Sequence, residues 1–114
     1  MTQEEIENLQ ISNIVANTSE LLSLVKTSLG IVQASTIKDT EISMLIGAAT
    51  ADMIRQDIDV ANNMSDELIQ ATITMYVKAN FDYLDENVRK RAFEMYHLNC
   101  NNLSLSQDYK ISEE

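Results

Sequence analysis

His97 and Cys100 stand three residues apart. On a helix that spacing puts an imidazole and a thiol on one face, which is how a metal site begins. Such a site needs three or four ligands, and the chain holds one histidine and one cysteine. A helix-surface histidine beside a half-buried thiol is therefore the expectation, with no metal. Carboxylates gather at Asp57/Asp59 and at Asp82/Asp85/Glu86. Paired carboxylates do acid–base work when burial splits their pKa values. These flank the ends of predicted helices among polar neighbours, where carboxylates cap and solvate. The sequence has neither a glycine-rich phosphate loop nor a Gly-x-Ser-x-Gly turn. Without a nucleophile–base pair the reading contains no catalytic residues, no enzyme and no cofactor. Arg89-Lys90-Arg91 is the one basic run. Asp85 and Glu86 stand one turn before Arg89 and Lys90, the favourable order for i,i+4 ion pairs, so a solvated, salt-bridged face is expected. The methionines read as flexible core filler.

The elements that carry these residues follow from composition and spacing. A length of 114 residues, with 45% apolar, fits one domain able to bury a core. The chain has no proline and only two glycines, Gly30 and Gly47, which favours long helices over many short strands. Eighteen carboxylates against eight Lys and Arg leave a net charge of −10. That charge repels phosphate backbones and anionic membrane. A single cysteine fits a reducing compartment. The start, Met1-Thr2-Gln3-Glu4-Glu5, lacks the apolar core of a signal peptide. The longest apolar run, Met44 to Ala49, is too short to span a bilayer.

The predicted fold is all-α: a small four-helix bundle with an N-terminal arm or extra helix and an extended C-terminal tail. Residues 1–18 form the arm, with a thin stripe of Ile6, Leu9 and Ile14. A helix near 19–29, capped by Thr18 or Ser19, carries Leu21, Leu22, Val25 and Leu29 and stops at Gly30. The loop to Lys38 is expected to pack down through Ile31, Val32 and Ile37. A second helix near 40–57 starts from Asp39 as N-cap and buries Ile42, Leu45, Ile46, Ala49 and Met53. Gly47 with Ala48, Ala49 and Ala51 permits a close helix crossing. A third helix near 65–83, capped by Ser65 or Asp66, carries two stripes and is the central one. One stripe runs through Leu68, Thr72, Met75, Tyr76, Ala79 and Tyr83, the other through Ile69, Ile73, Val77 and Leu84. A fourth helix near 85–101 turns Val88, Ala92, Met95, Tyr96 and Asn99 inward. The core set is Leu22, Val25, Ile42, Ile46, Ala49, Met53, Leu68, Thr72, Met75, Tyr76 and Tyr96. Residues 19–101 make one helical domain, and 102–114 are a tail expected to leave it, the alternative being that Leu103 and Leu105 fold back onto the bundle.

Three segments carry a resemblance. Ser19 to Ile31 (SELLSLVKTSLGI) looks like the opening of the tailed-phage head–tail connector family, also called adaptor or DNA-packaging proteins. Thr74 to Phe81 (TMYVKANF) resembles its third-helix motif, and Leu103 to Tyr109 (LSLSQDY) its closing motif. The residues before Ser19 are an addition to that pattern. The resemblance implies a virion protein in the neck between head and tail, made in the bacterial host cytoplasm. It implies a ring, usually a dodecamer, below the portal protein. Such a ring extends the DNA channel and meets a stopper or tail-completion protein. Double-stranded DNA would pass through without specific binding, which the acidic composition suits. Portal binding is expected of the tail through Leu103, Leu105, Tyr109 and Lys110, with Tyr109 as anchor. The alternative is a cytoplasmic acidic helical regulator or chaperone that masks a basic protein.

Overall fold

The structure, a computed structural model, describes residues 2–5 and 20–111. The stripe of Ile6, Leu9 and Ile14 and the caps at Thr18 and Ser19 lie outside the described residues. The fold is all-α, and among the described residues the single β feature is an isolated bridge.

The first helix, α1, covers residues 20–29 and buries Leu21 and Val25, while Leu22 lies half-buried. It stops where Gly30 takes φ +75°, in the left-handed region that glycine enters without penalty. Gly30 N–H then donates to the Thr27 carbonyl at 3.1 Å and Ile31 N–H to the Lys26 carbonyl at 2.9 Å. These two bonds satisfy carbonyls the helix would otherwise leave bare. The following loop packs down through Ile31, which lies half-buried against the core, whereas Val32 and Ile37 are exposed. Lys26 holds the rest of it. Its buried Nζ donates to the carbonyls of Gln33 at 2.9 Å and Ser35 at 2.6 Å, and meets Asp39 Oδ1 at 2.9 Å. Two ammonium protons thus go to carbonyls and the Asp39 carboxylate balances the charge, as a buried lysine requires.

Helix α2, Asp39–Arg55, buries Ile42, Ile46, Ala49, Thr50 and Met53 along one face. Asp39 is its first residue rather than its cap, because its carboxylate is engaged by Lys26. Nor does Gly47 serve a close crossing. It lies exposed, with open space where a Cβ would stand. The chain leaves α2 through Asp57, whose φ of +65° is one that Asp tolerates better than most residues. The connection that follows is core, with Ile58, Val60 and Ala61 buried.

Helix α3, Glu67–Asn80, is capped by Asp66, whose Oδ1 accepts from the N–H groups of Leu68 at 2.8 Å and Ile69 at 3.2 Å. It packs on both α2 and α4, the central place its two stripes predict. The deeper stripe is Ile69, Ile73 and Val77; Leu68 is exposed, and Met75 and Tyr76 are half-buried. Buried Thr72 and Thr74 return their hydroxyl protons to carbonyls one turn back, at 2.7 and 2.8 Å.

Helix α4, Glu86–Leu105, is capped by Asp85, which accepts from Asn87 N–H at 3.2 Å. Its inward face is Ala92, Tyr96, Cys100 and Leu103, and Val88 and Met95 are exposed. The helix also continues past Asn101, because Leu103 is the next member of that inward face. The expected ion pairs with Asp85 and Glu86 do not form among the described residues. Asp85 is spent on the cap, and Arg89 reaches Asp82 at 3.8 Å and the Leu84 carbonyl at 3.2 Å.

Candidate functional site

The acidic and metal-like clusters resolve into structural roles. His97 is exposed and stacks edge-on against Phe93, with ring centroids 4.3 Å apart. Cys100 is buried, and burial pushes its thiol up, away from the reactive thiolate. No cluster of three potential ligands occurs among the described residues. Asp59 accepts from Asn62 N–H at 3.2 Å and from its Nδ2 at 2.9 Å, closing the turn before α3. Asp57 shapes the exit from α2, and Asp85 caps α4. The basic run divides too: Arg89 is paired, while Lys90 and Arg91 point outward.

Two tyrosine–carboxylate contacts escape any reading of local spacing, because each joins distant helices. Tyr96 Oη donates to Asp52 Oδ2 at 2.5 Å, linking α4 to α2. Burial, and then this bond, push the Tyr96 phenol well above its ordinary range. Tyr109 Oη donates to Asp66 Oδ2 at 2.9 Å, and this bond holds its phenol up as well. The usable signal was the inward place of Tyr96 itself, since a buried tyrosine hydroxyl needs a partner.

Asp66 is thus shared. One oxygen caps α3 and the other holds the C-terminal segment. That segment does not leave the domain, as the sequence reading had it. After α4 a short 3₁₀ turn, Gln107–Tyr109, folds back, with Ser106 accepting from Asp108 N–H at 3.3 Å. The N–H of Asp59 donates to the Tyr109 carbonyl at 2.6 Å, and Ile111 N–H to the Asp57 carbonyl at 3.4 Å. Ile58 and Lys110 form an antiparallel bridge. Of the four residues expected to meet a partner, Leu103 is core at 1% exposure. Tyr109 is half-buried, Lys110 is exposed, and Leu105 is 81% exposed. The departure expected at Asn102 fails because Leu103 falls in phase with the inward stripe, which carries the helix through Ser104 to Leu105. Another surface feature is a cleft of about 380 Å³ between α3 and α4, whose lining includes Met75, Lys78, Val88, Arg91 and Met95.

A model of the phage connector protein family matches residues 21–110. The chain belongs to that family. The match starts one residue into α1 and ends at Lys110, so it takes in every helix described and the returning C-terminal segment. No curated protein and no solved structure matches the chain. A phage connector is a structural part of the virion that associates with other head and tail proteins, and this one has the all-α architecture described above. Among the described residues no helix of the connector is long and apolar enough to cross a membrane.

Proposed function

We propose that this connector is a subunit of the adaptor ring below the portal vertex, in the neck of the particle. It prolongs the DNA channel and offers a surface to a stopper or tail-completion protein. A dodecamer is the ring this reading favours, assembled after synthesis in the host cytoplasm. The family match over residues 21–110 is the observation that carries the proposal. The net charge of −10 supports it, because a channel wall that neutralised phosphates would hold DNA in a salt-dependent grip.

Portal docking is assigned to the returning C-terminal segment. Leu105 and Lys110 supply exposed apolar and cationic contacts, Tyr109 the larger body between them, and Leu103 the anchor that fixes the segment to the core. The test is capture of the chain by purified portal rings. The double variant Leu105→Asp/Lys110→Glu should lose portal binding and keep its melting temperature. Truncation after Asn102 removes a core leucine and should melt early whether or not portal is bound. Undiminished capture of the double variant would overturn the docking assignment. No capture of the wild-type chain would overturn the adaptor reading.

A further inference from the structure

Helix α4 has a second apolar stripe that no element among the described residues covers. Val88, Arg91, Met95, Leu98, Asn102 and Leu105 follow one another at alternating steps of three and four residues. That is the spacing of a coiled-coil seam. All six are exposed, Val88 at 46%, Met95 at 41%, Leu98 at 53%. The inward face of the same helix, Ala92, Tyr96, Cys100 and Leu103, points more than a quarter-turn away. The upper half of the seam is one wall of the α3–α4 cleft, with Met75 and Lys78 as the other. None of the six seam residues is acidic, in a chain whose net charge is −10.

We infer that this seam pairs with the α4 seam of a second copy, antiparallel, about a two-fold axis passing between residues 96 and 97. The inference does not rest on the adaptor reading, but Leu105 serves both surfaces, so pairing through the seam and docking on portal exclude each other in one chain. Its warrant is that the seam is complementary to itself in one register. About that axis Val88 meets Leu105 of the other copy, and Met95 meets Leu98. The two polar positions also meet each other: the Arg91 guanidinium donates to the side-chain carbonyl of Asn102. Other registers fail. A slip of one heptad sets Leu98 against Asn102 or Arg91 against Met95. A parallel pair sets Arg91 against Arg91, with like charges facing. Polar positions in an apolar seam are how paired helices fix register and orientation. The contact also keeps carboxylates out of the seam, so repulsion between two acidic subunits is spread over distance and screened by salt. An isologous contact is satisfied by two copies and cannot by itself close a ring, so this face is distinct from any head-to-tail ring contact.

The experiment is sedimentation equilibrium of the full chain from about 10 µM to about 1 mM, at moderate salt. A monomer–dimer equilibrium is expected. Leu98→Glu, at an exposed site, should weaken it about 10–100-fold without changing the melting temperature, and Leu105→Glu should do the same. Register is read by oxidation of mixed chains. Met95→Cys mixed with Leu98→Cys should cross-link unlike chains in preference to like ones, the native Cys100 being buried. A monomer at every concentration, as expected of a seam reserved for a foreign helix, would overturn the inference. So would a dimer that survives both glutamate variants, or cross-links between like chains.

Discussion

At the scale of single residues, the fold is closed by a few polar groups buried with their partners. Lys26 is the clearest. It sits in the core side of α1 yet finds two carbonyls and Asp39, and so holds a loop in which Val32 and Ile37 face solvent. Lys26→Met should destabilise the chain by about 2–4 kcal/mol in urea titration, because Asp39 and two carbonyls lose their partner. A paired Asp39→Leu should recover part of that loss. Tyr96 makes a prediction about pH. Its folded pKa is raised above the unfolded value near 10, so folding disfavours the ionised phenol. The stability tied to this group is full below pH 10 and drains away as pH climbs from there toward the folded pKa. Tyr96→Phe should therefore be less stable than wild type near neutrality, with the gap narrowing above pH 10 in chemical denaturation.

At the scale of elements, the two glycines predict opposite outcomes. Gly30 occupies a left-handed cap, so Gly30→Ala should cost about 1 kcal/mol. Gly47 lies inside α2 with open space at its missing Cβ, so Gly47→Ala should stabilise by about 0.5–1 kcal/mol. Thermal melts of the two variants moving in the same direction would refute this. The contrast also marks how far the sequence could be read. The stop at Gly30, the cap at Asp66, and the buried faces of α2 and the deeper α3 stripe were legible, because each is set by residues within a few turns. The phase of α4 was not. Apolar residues occupy two of its faces, and spacing alone cannot say which of them meets α3. The return of the C-terminal segment was not legible either. It depends on Asp66 and Asp59, both far away in sequence, while Leu103 and Leu105 alternate with serines as an extended strand would. The portal-facing residues remain a proposal, since the groups that would recognise them belong to another chain.

At the scale of the whole molecule, charge and apolar surface oppose each other. A net charge of −10 keeps copies apart, and the α4 seam draws two together. The isolated chain is therefore expected to be monomeric or weakly associated. Raising salt from about 0.05 to about 0.5 M should strengthen self-association, because screening removes repulsion and leaves the apolar contact intact. Weakening by salt would mean that ion pairs hold the copies together. The clasp between residues 57–59 and 109–111 bears on how the chain is born. Helices α3 and α4 are neighbours in sequence and can pair early in synthesis, whereas this clasp closes a long loop and waits for Tyr109 to clear the ribosome. Until then the amide of Asp59 has no carbonyl to receive it, and the connection carrying Ile58 and Val60 lies unlatched. In pulse-labelled refolding the Asp59 amide should gain protection from exchange after those of α3 and α4. The clasp thus fastens only those chains in which Tyr109 and Ile111 have already been made and have folded back onto residues 57–59.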